Sequence, residues 1–274
     1  ITPCFLPPSR EVFPHGHKVR IYLQVNLAYV AELDEKGNLI TCQEYANHHQ
    51  LAHEIFLRIM LESPLVQRYD SEQVEVIYAS PAFTLIPDEF RHEAQFQDMA
   101  RVMIDATAVK EELISSSSKV QNVCSLFPLD GFTRTLLQEY LPNGNLIHIS
   151  TLTINWAKEL AAADPNLLLV LFCGSFSILT MMKDGDLQLC NAYPCNTHND
   201  LLYFIQTVRK ATEQEDRRLP ILLLGQFKRG EDGLYEHLTK YLPTTSMPRF
   251  LKRKLLANED QEWDYWRYIF LAEA

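Results

Sequence analysis

Two stretches of this chain follow one pattern at a constant offset of 148 residues, GNLITCQEYANHHQLAHEIF (Gly37–Phe56) and GDLQLCNAYPCNTHNDLLYF (Gly185–Phe204). Each begins at a glycine turn, continues as a strand and enters a helix. Five identities at one offset, on matching predicted elements, favour a duplicated fold. The identical pairs are Gly37 and Gly185, Leu39 and Leu187, Cys42 and Cys190, Tyr45 and Tyr193, and Phe56 and Phe204.

The elements around these stretches repeat the same plan. In the first half, the strands VRIYLQV, AYVAEL and NLITCQEY precede an amphipathic helix from Asn47 and the buried strand VEVIYAS. Apolar residues recur along this helix at helical spacing until Ser63 and Pro64 end it; they are Leu51, Ile55, Phe56 and Ile59. In the second half, LLLVLF, SFSILTMM and LQLCNAY precede a helix over 197–211, the strand LPILLLGQF and a helix over 234–241.

The remaining segments complete the predicted organisation. A Pro-rich irregular arm covers 1–18, an N-terminal lobe 19–163 and a C-terminal lobe 164–274. The N-terminal lobe contains a second helix from Pro87 to Met103, a hairpin insertion near 108–127 with a polar tip over 115–118, a helix over 130–140, the strand LIHIS and a helix over 154–163.

Strand, strand, strand, helix, strand, helix, performed twice, resembles the plan of actins, sugar kinases and heat-shock ATPases. The segments VEVIYASPAFTLIPDEF, CNAYPCNTHNDLLYFIQTV and PILLLGQFKRGEDGLYEHL resemble those of a bacterial family of unknown function whose fold is actin-like. The resemblance runs from Val19 to the end. It implies an α/β, ribonuclease H-like architecture of two lobes, each a mixed sheet, with ATP as the cofactor to test.

The resemblance also indicates where a nucleotide would bind. In active members, the turn between the first two strands of each lobe carries an aspartate followed by glycine, whereas this chain has Asn26-Leu27-Ala28 and Cys173-Gly174-Ser175. The adenosine turn usually has two adjacent glycines, and here Gly225 precedes Gln226. The predicted cofactor-binding residues are therefore Asn26, Gly174, Ser175 and Gly225, with no catalytic residue and no metal ligand. Losing both acids should be severe for phosphoryl transfer, which depends on positioning and charge neutralisation.

Two functions follow, and the resemblance implies a third, a filament or assembly subunit, for which no sequence feature marks a polymer interface. The first is a non-catalytic or degenerate nucleotide-binding protein that acts through contacts with another protein or a second copy of itself. The alternative is an ATPase or small-molecule kinase with an atypical phosphate site, using carboxylates such as Asp88, Asp130 or Asp184. Fold alone does not decide between them.

Two clusters of metal-ligating residue types occur in the sequence. HQLAH places His49 and His53 one helical turn apart, but Gln50 stands where the zinc-protease motif has its glutamate, so no metal site is predicted. Cys190, Cys195 and His198 fit no common zinc spacing, and core packing is expected for Cys190.

Composition excludes several classes. The 274 residues carry a formal charge of −10, which opposes binding to nucleic acid. No apolar run approaches the roughly 20 residues that span a bilayer. Scattered cysteines favour a reducing cytoplasm. The aromatic tail EWDYWRYIFLA suits packing on a lobe or an interface, and a chain that opens at Ile1 leaves its true N-terminus open.

Overall fold

A computed structural model describes residues 2–3, 16–104, 112–118, 120–214, 218–227, 233–247 and 271. It contains two large mixed sheets with helices packed on their faces and a smaller three-stranded sheet. The predicted α/β class is confirmed. The basic and aromatic residues predicted in the C-terminal tail lie outside the described residues. Of the final 27 residues, 248–274, the structure describes Leu271.

The first half supplies most of the elements. They are β1 (Thr2–Pro3), β2 (Lys18–Gln24), β3 (Leu27–Leu33), β4 (Leu39–Ala46), α1 (His53–Leu61), β5 (Val74–Tyr78), β6 (Thr84–Pro87), α2 (Ala94–Met103), β7 (Glu112–Ser117), β8 (Val123–Leu129), α3 (Gly131–Tyr140), β9 (Asn145–His148) and α4 (Ile149–Ala161). Short 3-10 turns cover Ser71–Gln73 and Asp88–Phe90.

The second half has fewer elements. Its elements are β10 (Leu167–Phe172), β11 (Phe176–Lys183), β12 (Asp186–Pro194), α5 (His198–Ala211), β13 (Ile221–Gly225), α6 (Leu234–Tyr241) and β14 (Thr245–Ser246). Among the helices of the described residues, none combines the length and the apolar character needed to cross a membrane.

The two large sheets share one strand order. The first runs β1-β4-β3-β2-β5-β9 and the second β12-β11-β10-β13-β14. In each, three strands joined by hairpins pair antiparallel, and the first of them pairs parallel with the strand that follows the next helix, β5 or β13. The duplication predicted from the offset of the two glycine turns therefore appears in the topology. The extra strand β1 pairs with β4, although the arm over 1–18 was predicted to be irregular.

Helix α4 lies between the two sheets. Ten of its 13 residues are buried, so the helix is covered around most of its circumference rather than along one stripe. Its cluster joins Tyr22 and Tyr29 of the first sheet to Leu169 and Ile178 of the second. The outer face of the first sheet packs on α1 and α3, and that of the second sheet on α5 and α6.

The face that α1 buries differs from the prediction except at Phe56, which is buried as predicted. The residues Leu51, Ile55 and Ile59 are exposed by 37%, 48% and 40%. The helix instead buries two adjacent rows, Phe56 with Met60 and Leu57 with Leu61, against the sheet and α3. An i, i+4 row of apolar residues marks a helix face but does not say which of two such rows meets the core.

The inserted region also differs in detail. The segment TLIP forms strand β6, which joins β8 and β7 in the order β6-β8-β7 and was not predicted. The serines expected at a hairpin tip lie mostly within β7, and α2 begins at Ala94 rather than near Pro87. Helix α4 begins at Ile149 instead of Ile154, because the His148 side chain accepts a hydrogen bond from Ser150 N and caps it.

Candidate functional site

An open cleft of about 530 Å³ lies between the β2–β3 hairpin turn of the first half and the β10–β11 loop of the second. Equivalent ends of the two sheets form it, because each turn joins the first two strands of its sheet. Its lining residues are Gln24, Val25, Asn26, Leu27, Tyr78, Ala79, Ser80, Pro81, Cys173, Gly174, Ser175, Phe176, Ala192, Pro194 and Gln226.

Three of the four predicted cofactor-binding residues, Asn26, Gly174 and Ser175, line this cleft. Asn26 is at the hairpin turn, where its main-chain oxygen accepts from Asn47 N at 2.9 Å and its Oδ1 accepts from Asn47 Nδ2 at 3.3 Å. Both contacts tie the hairpin to the segment that precedes α1. Both carbonyl oxygens of Asn26 therefore already accept hydrogen bonds within the fold.

The second turn is fixed by main-chain contacts. Cys173 N donates to Phe176 O at 2.8 Å, and Ser175 O accepts from Cys195 N at 2.9 Å. Gly174 has a φ of +82°, and a Cβ there would lie 3.2 Å from Gln226 Oε1. One side-chain hydrogen bond connects the two halves at the floor of the cleft. In it, Gln24 Nε2 donates to Cys173 O at 3.3 Å.

The fourth predicted residue, Gly225, is absent from the lining. It ends β13, pairs with Phe172 of β10 and has a φ of +107°. A Cβ at this position would lie 2.1 Å from Phe172 O. The glycine is therefore required for the close approach of two strands, and its neighbour Gln226 is the residue that reaches the cleft.

The lining carries no aspartate, glutamate, lysine, arginine or histidine among the described residues, which leave out 228–232. Burial raises the pKa of the Cys173 thiol to about 12 and also raises the pKa of Tyr22 beneath the floor. Both groups are therefore neutral at pH 7. The polar groups that remain are amides, hydroxyls and main-chain atoms.

The carboxylates that the alternative function would need lie elsewhere. Asp88 accepts hydrogen bonds from Ser117 and pairs with Arg91 beside the three-stranded sheet. Asp130 caps α3 by accepting from Thr133 N at 2.8 Å. Asp184 is at the β11–β12 turn with a φ of +54°. None of the three lines the cleft.

The histidines and cysteines considered as ligands have other contacts. His49 precedes α1, so it does not share a helix face with His53. His53 Nδ1 lies 3.1 Å from Val25 O, and its Nε2 lies 3.3 Å from Thr133 Oγ1. The core position expected for Cys190 is confirmed, because it is buried and accepts from Thr180 Oγ1. No group of three or more metal-ligating side chains occurs in the described ranges.

Sequence reasoning missed part of the lining. Ser80 and Pro81 follow β5, and Pro194 ends β12. None of these three residues belongs to a recognisable sequence motif. The signal that could have found them is topological, since residues that follow parallel strands meet at one edge of a sheet. Gln24 and Gln226 were adjacent to predicted sites and would have been found by extending each turn by one or two residues.

A family model for DUF3822, a protein of unknown function, matches residues 22–244. The chain belongs to this family. The fold shared with actin-like proteins, predicted from the repeat and the quoted segments, is confirmed. No curated protein matches the chain.

Two solved structures share the fold. One is a Bacteroides thetaiotaomicron protein of unknown function with an actin-like ATPase fold; it is 20% identical, with a TM-score of 0.74, and the match covers 85% of this chain and 91% of that chain. The other is a chain of the PilM–PilN type IV pilus biogenesis complex, 12% identical with a TM-score of 0.54, covering 94% and 97%. At these identities the likeness shows the fold alone.

The name of the fold implies ATP and Mg²⁺, and the described cleft does not fit them. Magnesium binds oxygen ligands and is usually held by one or two carboxylates together with the substrate phosphates. A triphosphate needs cationic groups or a bound metal to neutralise its charge. The described lining offers neither a carboxylate nor a cation.

Proposed function

We propose that this protein is a non-catalytic member of the actin-like fold that acts through protein contacts. The observation that carries the proposal is the cleft between the two halves, whose described lining has no charged side chain. Phosphoryl transfer relies on positioning and on electrostatic stabilisation of the transferring group. The described lining supplies neither the metal ligands nor the cations for that chemistry.

The surface of α1 supports the second part of the proposal. Ile55 and Ile59 of this helix and Leu51, which lies just before it, are exposed, and we call these three residues the α1 stripe. Val25 of the nearby hairpin turn, whose carbonyl lies 3.1 Å from His53 Nδ1, is also exposed by 61%. Contiguous apolar surface of this kind is typical of interaction sites. The fold also occurs in the PilM–PilN complex, where it belongs to a protein assembly.

Phosphate release tests the absence of catalysis. The full chain is incubated with ATP and Mg²⁺, and we expect no release of phosphate above the rate without protein. The variant Ser175→Trp, which places a bulky side chain at an exposed position of the cleft, is the matched control. Turnover that the wild type shows and this variant loses would overturn the proposal in favour of the alternative, an ATPase or kinase.

Sedimentation velocity tests the partner. If a second copy is the partner, the sedimentation coefficient rises with concentration, and the double variant Ile55→Lys/Ile59→Lys keeps the monomer value throughout. A wild-type protein that stays monomeric at all concentrations excludes self-association and leaves a different protein as the partner.

A further inference from the structure

We infer that the cleft binds a small uncharged molecule that presents a carbonyl or similar acceptor oxygen beside apolar surface, and that it rejects carboxylate and phosphate ligands. The inference rests on the proposed function, because it concerns the same cleft and names the class of ligand. Its volume of about 530 Å³ lies within the range of small-molecule sites.

The lack of cationic side chains in the described lining selects against anions. An anion that leaves water for this cleft would lose hydration and meet no lysine, arginine or histidine among the described lining residues. Burying a charge without a partner is among the most costly changes a binding site can undergo. The apolar part of the lining, which includes Leu27, Phe176 and Pro194, instead favours a neutral ligand with apolar surface.

The hydrogen-bonding groups of the cleft favour a ligand that carries an acceptor atom. Gln24 is already used, since its Nε2 donates to Cys173 O and its Oε1 lies 3.4 Å from the Tyr22 hydroxyl. The Oδ1 of Asn26 accepts from Asn47. By contrast, Gln226 Nε2 is buried and has no hydrogen-bond partner of normal geometry in the described part of the chain. Among the lining side chains, the buried polar atom without a partner is therefore a donor.

Gln226 is placed to offer that donor. Its side chain borders Gly174 and the Tyr22 hydroxyl; burial raises the pKa of Tyr22, and the Gln226 amide opposes that shift. Nε2 itself is buried, but the residue lines the cleft and its terminal torsion has a broad energy minimum, so rotation about that torsion would turn Nε2 toward the cleft. A ligand oxygen that accepts there satisfies a group that is costly to leave unpaired.

Matched pairs of probes separate charge from shape. Saturation-transfer NMR on the full chain compares nicotinamide with nicotinate and benzamide with benzoate, which differ in the replacement of an amide by a carboxylate. We expect saturation of both amides and neither carboxylate. The variant Gln226→Met should weaken amide binding about fivefold, the loss of one net hydrogen bond. Gln188→Met, at an exposed position of β12 outside the cleft, should leave it unchanged.

A variant that adds a positive charge to the cleft provides a second, independent test. Asn26→Lys changes an exposed turn residue that lines the cleft and should admit nicotinate and benzoate, which the wild type rejects. This variant decides the matter if Gln226→Met does not fold. The inference is overturned if the carboxylates bind the wild type as well as the amides do, if no amide binds, or if Gln226→Met folds and binds amides normally. These results leave the proposed function standing, whereas turnover of ATP in the cleft overturns that function by itself.

Discussion

Gly225 and Phe172 approach each other so closely at the end of their paired strands that a Cβ on the glycine would lie 2.1 Å from Phe172 O. In the same place, Gln226 N donates to Phe172 O at 2.7 Å, so the main chain bends around that carbonyl. The glycine thus holds β13 against β10 at the base of the cleft. Its role is in the backbone, and a substitution there tests the fold before it tests a ligand.

We expect Gly225→Ala to lower the free energy of unfolding by about 3 kcal/mol or more, because steric overlap adds to the strain of a positive φ. Gly185→Ala is the matched control. Gly185 also has a positive φ, of +81°, but nothing lies within 4 Å of its Cβ position, so about 1 kcal/mol is expected. Urea denaturation measures both, and equal losses would show that the contact with Phe172 carries no cost.

Acid should destabilise the protein through His148. Its Nδ1 accepts from Ser150 N at 3.2 Å and lies 2.7 Å from Ser150 Oγ, so the ring is neutral in the folded state. Burial lowers the pKa of His148 from 6.5 to about 3. Between these values the unfolded chain binds more protons than the folded chain does, so stability falls as pH falls through this window. The expected loss from this residue at pH 5, relative to pH 7.5, is about 2 kcal/mol.

Urea midpoints across that pH range measure the effect. The variant His148→Asn keeps a residue that caps helices well and removes the titrating ring. Its dependence on pH between 6.5 and 4 should be flatter than that of the wild type. Identical slopes in the two proteins would assign the acid sensitivity to other groups.

The exposed face of α1 predicts a contrast between neighbouring residues. Ile55→Lys together with Ile59→Lys should change the free energy of unfolding by less than about 1 kcal/mol, because both side chains face solvent and lysine suits helices. Leu57→Ala, on the buried face, should cost about 2–5 kcal/mol. Thermal unfolding of the two variants decides the point. A large loss in the lysine variant would mean that the α1 stripe is covered within the protein itself.

Much of the fold could be predicted because local signals agreed with the repeat. The strand over Leu167–Phe172 and the helix over Leu234–Tyr241 were predicted at their observed bounds, and Thr197 caps α5 with Asp200 as its capping-box partner. The two halves have matching hydrophobic periodicities in sequence, and their two large sheets have matching strand orders. Where apolar rows, turns and caps all indicate one structure, a single sequence is informative.

The remaining features depend on contacts between distant residues. Gly225 looks like a nucleotide-binding glycine until its pairing with Phe172 is known. Several apolar i, i+4 rows run along α1, and only its packing against the sheet and α3 shows which of them are buried. The cleft lining draws on several separate segments, and no local pattern indicates that Ser80 and Pro194 lie at the same cleft.

The buried side chain of Arg20 forms an ion pair with Glu75, which is partly exposed. Arg20 Nη2 of β2 lies 2.6 Å from Glu75 Oε2 of β5, and Arg20 Nη1 donates to Leu271 O at 2.8 Å. Glu75→Gln removes the counter-charge of a guanidinium that is 6% exposed, so a loss of about 3 kcal/mol is expected.

The double variant Arg20→Met/Glu75→Gln should be more stable than Glu75→Gln alone, because no unpaired charge then remains in the core. A double-mutant cycle by urea denaturation measures the coupling. Additive losses would show that the two side chains act independently and that the contact to Leu271, rather than the ion pair, accounts for the importance of Arg20.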